Sequence, residues 1–371
     1  MNERALPASP WLWSRTTDVA VFGGSAALAL ALVPLSPVLS DGGALSAWGF
    51  LALVVAVDVA HVWSTLFRTY LDREELLRRP ALYAGAPLAC FTGGVALHLV
   101  SSAWFWRALA YVAVFHFVRQ QVGWVAVYRA RAGERSTVDR AIDDAAIYLS
   151  TLYPLAWWHA HLPRGFEWFV EGDFASFAVS PTFVSAIGVL EVIALSVYAI
   201  RAVERGVRGT WNCGKHLVVA TTALTWFTGI VATNTDFQFT AANVIVHGVP
   251  YTALLYVYAK ERAADRPRAT VASTMKLGFA GFYGLLVSLA FAEEMVWDRL
   301  VWHAHPTLFG GTVDGEELGR IAKAVVVPLL AVPQATHYIL DAVLWRSKDA
   351  RSSAVGRAQA AALGFTWRKA G

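Results

Sequence analysis

Apolar residues dominate this chain in ten long stretches, and short polar or charged segments separate them. A helix needs about 20 largely apolar residues to cross the hydrocarbon core of a bilayer. The pattern therefore predicts ten transmembrane helices. They cover approximately residues 19–40, 44–66, 81–101, 104–128, 141–160, 181–201, 214–232, 238–259, 275–293 and 322–345.

Composition supports the same class. Of the 371 residues, 56% are hydrophobic and only 16% are charged, with a mean hydropathy of +0.46. Such a chain is too apolar for a soluble domain of this length. We expect an all-α, polytopic helical bundle that forms one integral membrane domain over residues 1–371, with outer caps at about 161–180 and 294–321.

Basic residues orient the predicted bundle. If both termini are cytoplasmic, 25 of the 31 Lys and Arg residues fall in the termini or in the alternate connections on the same side. This is the positive-inside distribution, and it predicts a multi-pass protein of a bacterial-type inner (plasma) membrane. The net charge of +4 is then a consequence of topology and gives no reason to expect nucleic acid. Cys90 and Cys213 fall in a span and in a cytoplasmic loop, so no disulfide is expected.

Polar side chains interrupt every second predicted span, at similar distances from its cytoplasmic end. An ionisable group near the middle of a bilayer costs about 2.5–3.5 kcal/mol on insertion scales, so it needs a partner, a proton or an ion. Because the five spans run in the same direction, we expect these side chains to converge. They are Asp58 and His61, His116 and Gln120, Glu191, Asn243 and His247, and His337 and Asp341.

Spacing within the spans places the polar residues on shared helix faces. Asn243, His247 and Tyr251 repeat every four residues, and His116 and Gln120 are one turn apart. A longer stripe with steps of three and four residues follows the second span towards the cytoplasm. It consists of Asp58, His61, Thr65, Arg68 and Asp72.

Four histidines with neighbouring carboxylates indicate a transition-metal site. Mixed imidazole and carboxylate shells are typical of oxygen-activating non-haem iron, and they also suit manganese, zinc and copper. We expect the site to bind one or two metal ions, with iron as the first choice. The candidate ligands are His61, His116, His247, His337, Asp58, Asp341 and Glu191.

The carboxylates have other possible roles. Asp58 and Asp341 either ligate directly or accept the second ring N–H of a histidine. Glu191 lies in an otherwise apolar stretch and could instead be a protonated, neutral carboxyl. Haem or a purely structural polar network would also use such groups.

Two arginines and a glutamine are the candidate catalytic residues. Arg119, Arg68 and Gln120 lie near the predicted cluster, where a guanidinium would hold a polar head of the substrate. Pairing of Arg119 with Asp58 or Asp341 is the simpler alternative.

Two short segments carry a family resemblance. FHFVRQQ around His116 and THYILDAVLWR around His337 resemble bacterial membrane carotenoid-cleaving oxygenases of the bacteriorhodopsin-related type. The resemblance implies an iron centre with His61, His116, His247 and His337 as ligands. The family has an H-x-x-x-H pair where this chain has His247 followed by Tyr251, so ligand geometry and substrate stay open.

Three functions compete. The first is a membrane-embedded, metal-dependent oxidoreductase, an iron oxygenase for a lipophilic small molecule or lipid that enters from the bilayer. The second is a proton- or ion-coupled transporter that uses the same buried groups, although the sequence has no inverted repeat. The third is a non-catalytic membrane subunit. No protein partner is indicated, and the eight-histidine pattern of membrane desaturases is absent from the sequence.

Overall fold

The computed structural model describes residues 10–175, 177, 179–265, 270–311, 318–345 and 354–365. These residues are mainly helical, with one antiparallel hairpin of β1 (Ser40–Asp41) and β2 (Ala44–Leu45). The helices are α1 (Arg15–Leu39), α2 (Ala47–Arg68), α3 (Arg73–Arg78), α4 (Pro80–Val100), α5 (Ser102–Arg131), α6 (Thr137–Ala160), α7 (Pro181–Val207), α8 (Cys213–Ala232), α9 (Asp236–Asp265), α10 (Thr270–Trp302), α11 (Pro306–Phe309), α12 (Arg320–Leu330), α13 (Val332–Leu344) and α14 (Ala354–Ala362).

The long helices coincide with the ten apolar stretches. Among the described residues, seven of these helices are long and apolar enough to cross a membrane, and the α12–α13 pair, bent by 41°, would be an eighth if it forms one span. The chain is therefore a helical membrane protein. α5 and α6 fall outside this set, and polar residues such as Arg119 and Gln120 interrupt the apolar sequence of α5. The number of ten spans stays a prediction.

Local sequence explains where several helices begin. Ser46, Ser136, Ser180 and Asn212 each precede a helix, and each side chain accepts a hydrogen bond from a backbone N–H of the first turn. Such caps satisfy donors that would otherwise lack a partner.

The bundle has two distinguishable ends. At one, here called the basic end, Trp13 donates to the carbonyl of Ala362, so the first helix meets the last described one. At the other, the hairpin end, the backbone N–H of Phe237 donates to Gly43 beside the β-hairpin, and Gly165 contacts Asn234.

Helix α9 occupies the centre and is the most deeply buried of the candidate spans. It packs against α1, α2, α8 and α14. Gly248 permits the close approach of α2, because a Cβ atom at this position would lie 3.1 Å from the backbone oxygen of Val57. His247 is thus brought towards α2.

Ion pairs close the basic end. Buried Lys215 lies 2.7 Å from Glu134 and 3.1 Å from Asp143. Arg262 on α9 binds Asp72 at 2.6 Å. Burial alone would raise the pKa of Asp72, but hydrogen bonds from Arg262 and Tyr258 outweigh burial and hold that pKa below its ordinary value.

Part of the second predicted cap is helical. Residues 294–302 continue α10 beyond the predicted end of the span at 293. Residues 294–305 contain neither glycine nor proline, which allows the helix to continue. That this segment caps the outer face stays a prediction. Residues 312–317 of that cap lie outside the described residues, as do 176 and 178 of the first cap. So do the predicted cytoplasmic basic residues Arg4, Arg266, Arg268, Arg346, Lys348, Arg351, Arg368 and Lys369.

Candidate metal centre

Four histidines from four helices meet in the interior. His61 lies on α2, His116 on α5, His247 on α9 and His337 on α13, and each is at most 4% exposed. One nitrogen from each ring can be chosen so that all four lie within 4.8 Å of one another. The group can therefore hold a metal ion.

Ring geometry agrees with that assignment. The Nε2 atoms of His116 and His337 are 3.2 Å apart. With metal–nitrogen bonds of about 2.0–2.1 Å, adjacent ligands of a tetrahedral ion are separated by about 3.3 Å. Neighbouring rings stand nearly perpendicular, at 89° for His61 and His247. A small inward movement of the wider pairs would complete a first coordination shell.

Unpartnered nitrogens give a second test of fit. Within the described part of the chain, both ring nitrogens of His61 and of His247 lack a hydrogen-bond partner. A buried polar atom left without a partner costs about 1–3 kcal/mol. Metal ligation would satisfy one nitrogen on each of these two rings, so the donor set fits a metal ion.

Side chains behind three of the rings can orient them. Thr65 Oγ1 lies 2.7 Å from Nδ1 of His337. Asp58 faces Nδ1 of His61 and Asp341 faces Nδ1 of His116, each at 3.5 Å. The two carboxylates lie at ion-pair distance rather than in hydrogen-bond geometry, and a polar group on the Nδ1 side of a ring leaves Nε2 for the metal. Asp58 and Asp341 thus occupy orienting positions beside the four-histidine group.

The fourth ring is held by stacking. Phe117 lies parallel to His247 with ring centroids 3.5 Å apart. Gln120 Nε2 donates to the backbone oxygen of His247 at 3.3 Å, so the structure places this candidate beside the centre. Tyr338 packs on His116 with a centroid distance of 4.9 Å. Phe117 and Tyr338 follow His116 and His337 directly, but their aromatic character alone did not distinguish them from ordinary core residues.

Three candidate residues are not brought to the cluster. Glu191 lies on α7 and lines a separate cavity with Tyr153 and Trp157, so it does not face the histidines. Arg119 is exposed and donates to the Tyr148 hydroxyl at 2.6 Å, because it lies on a different face of α5 from His116.

Arg68 is the third of these residues. It is fully buried and pairs with Glu75 at 3.2 Å while donating to Gln359 on α14. It therefore closes the basic end beneath the cluster. Neither arginine is placed to hold a substrate at the histidines.

An elongated cavity of about 600 Å³ adjoins the cluster on the side of the hairpin end. Three of its lining residues, Asp58, Phe117 and Tyr338, contact three different histidines of the cluster. The lining also includes the segment 164–171. The cavity thus links the hairpin end to the histidines.

Comparison with protein-family models, curated proteins and solved structures gives no match for this chain.

Proposed function

We propose that this protein is a membrane-embedded, metal-dependent oxidoreductase, an iron oxygenase that acts on a lipophilic substrate. We further propose ten spans, with the basic end in the cytoplasm of a bacterial-type inner membrane. The observation that carries the proposal is the group of four buried histidines, whose ligand nitrogens lie within 4.8 Å of one another.

The adjoining cavity favours a reactive centre over a structural one. Structural metal sites are closed by protein, whereas catalytic sites keep access for a reactant. Here Phe117 and Tyr338 both line the cavity and pack on histidines of the cluster. A lipophilic molecule in the cavity would lie next to the centre.

The protein's own groups have clear roles in this proposal. The neutral imidazoles of His61, His116, His247 and His337 would bind the metal, while Thr65, Asp58 and Asp341 fix the ring orientations. The aromatic walls exclude water from the reacting groups. Imidazole also suits zinc, copper and nickel, so the choice of iron rests on the resemblance of the segments around His116 and His337. When bound, iron supplies one-electron redox and dioxygen chemistry.

Metal analysis followed by a dioxygen assay tests the proposal. The protein is purified in detergent without chelators, its metals are measured, and the anaerobically reduced sample is exposed to dioxygen. We expect about one iron per chain, consumption of dioxygen, and loss of both in His247→Ala. His161→Ala, which changes an exposed histidine, should match the wild type.

Other results would contradict the proposal. A full complement of zinc, inert to dioxygen, would indicate a structural site. No metal above background, together with pH-dependent substrate flux in proteoliposomes, would favour a transporter.

A further inference from the structure

Three of the polar side chains that line the cavity near the cluster offer hydrogen-bond acceptors. Asp58 and Asn243 each lie one helical turn from a cluster histidine and line the cavity, as does Glu294 on α10. The Nδ2 of Asn243 donates to Phe239 at 2.9 Å, which fixes the amide and leaves Oδ1 as its acceptor. Asn243 is 3% exposed, and Oδ1 has no partner among the described residues.

Most of the charged side chains in the lining are carboxylic acids. Asp58 and Glu294 place two carboxyl groups in the cavity lining. Glu167, Glu171 and Asp236 add carboxyl groups nearer the hairpin end.

The described lining contains fewer basic side chains than carboxyl groups. Arg164 and His305 are the basic side chains there. Arg164 Nη2 donates to the carbonyls of Ile230 and Thr233, and the guanidinium lies over the ring of Trp157, so these contacts hold the side chain in place. An anionic ligand would find acceptors and like charge, whereas a cationic donor would be attracted.

Aromatic rings from several elements also line the cavity. Trp106, Phe239, Trp297 and Trp302 are among them. Aromatic faces attract ammonium groups and also bury hydrocarbon. A volume of about 600 Å³ falls in the range of cavities that bind small organic molecules, roughly 300–1,000 Å³.

We propose that this cavity binds a lipophilic amine, with its ammonium group on Asp58, Glu294 and Asn243 Oδ1 and its hydrocarbon body against the aromatic wall. This assignment deepens the proposed function, on which it rests for the role of the neighbouring cluster, and it replaces Arg119 and Arg68 as the groups that would hold a polar head. An ammonium supplies several N–H donors and the positive charge that the carboxyls lack.

Binding of three matched probes tests the assignment. Wild-type protein in nanodiscs is titrated with 12-bromododecylamine, 12-bromododecanol and 12-bromododecanoate, and bromine quenching of tryptophan fluorescence reports binding near Trp106 or Trp297. We expect the amine to bind about tenfold or more tightly than the alcohol and the acid, as one charge-assisted hydrogen bond permits.

Substitutions of cavity residues test whether the fluorescence quenching reports binding in this cavity. Glu294→Gln and Asn243→Leu should each weaken amine binding about tenfold and change alcohol binding little. Glu191→Gln, an equivalent change in a different cavity, should bind all three probes like the wild type. Unchanged amine affinity in both cavity variants, or a preference for the acid or the alcohol, would overturn the assignment.

Metal content measured on the same samples allows the amine-binding proposal and the oxidoreductase proposal to fail independently. If metal is present and the amine shows no preference, the cavity assignment fails alone. If the amine binds selectively to protein without metal, the oxidoreductase proposal fails alone. A wild-type elution profile and metal content for Glu294→Gln show that the variant is folded.

Discussion

The four cluster histidines differ in what holds each ring. His337 has a hydroxyl partner, His61 and His116 face carboxylates, and His247 has an aromatic ring parallel to it. The orientation of an imidazole decides which nitrogen can ligate. The surrounding side chains therefore determine whether four histidines form one centre.

Removal of either carboxylate should weaken the centre without abolishing it. In Asp58→Asn or Asp341→Asn, the ring loses an anionic partner at Nδ1, and we expect metal affinity or activity to fall about 10–100-fold. Competition with a calibrated chelator measures the affinity. Glu191→Gln serves as the control, and a loss as complete as that in His247→Ala would mean that the carboxylates are ligands.

Glu167, in the part of the cavity lining nearer the hairpin end, should make amine binding depend on pH. Burial, followed by repulsion from Asp173, Glu171 and Asp236, raises the pKa of Glu167 to about 7. An ammonium favours the ionised carboxylate, so amine binding should release a proton and tighten as pH rises from 6 to 8.

Neighbouring groups support that assignment of the pH effect. Burial lowers the pKa of His305, which moves its titration away from the upper part of this window, and the guanidinium of Arg164 stays charged. The 12-bromododecylamine titration repeated at several pH values measures the effect. Glu167→Gln should reduce the slope of binding against pH, and an equal slope in that variant would assign the pH dependence to another group.

At the scale of helices, close contact between α2 and α9 holds two of the ligands. The His61 and His247 rings have centroids 4.7 Å apart, and Gly248 lies at the contact with Val57. A side chain there would push the helices apart, because the nearest atoms include the backbone of α2.

Gly248→Val should therefore reduce metal content severalfold although every ligand is present. Elemental analysis of the purified variant measures it. Gly123→Ala is the control, since a Cβ atom at Gly123 meets nothing within 4 Å. Full metal content in folded Gly248→Val would show that this contact does not position the histidines.

The sequence predicts elements better than side-chain environments. Apolar length identified the helices, and four-residue spacing placed Asn243, His247 and Tyr251 on one face of α9. Helical phase also separates Arg119 from His116, but sequence could not show that Tyr148 on α6 would bind Arg119. Glu191 lies at a position along its predicted span similar to those of the histidines. Which helix it faces depends on tertiary packing, which the sequence of one span does not reveal. The residues that line the cavity come from loops and from five helices, so no local sequence pattern predicts it.

Over the whole molecule, basic residues and helix contacts give a consistent orientation. Basic segments around α3, Arg135 and Arg208 share an end with the contact between Trp13 and Ala362. The positive-inside rule predicts that this end faces the cytoplasm.

Cysteine labelling tests that orientation. In a background with Cys90 and Cys213 replaced by Ser, an impermeant thiol reagent applied to intact cells should label Asp41→Cys and Glu171→Cys but leave Arg135→Cys and Thr210→Cys unlabelled. All four positions are exposed in the structure. Labelling of position 135 together with protection of position 41 would reverse the topology.

The central claim is that four imidazoles bind one metal inside the bundle, and X-ray absorption spectroscopy of the purified protein tests it most directly. At the edge of the metal found, we predict about four nitrogen neighbours at roughly 2.0–2.2 Å, with the outer-shell scattering pattern of imidazole rings. His247→Ala should lose this signal, while His161→Ala should retain it. Absence of metal, or a metal without imidazole neighbours that is unaffected by His247→Ala, would contradict the account.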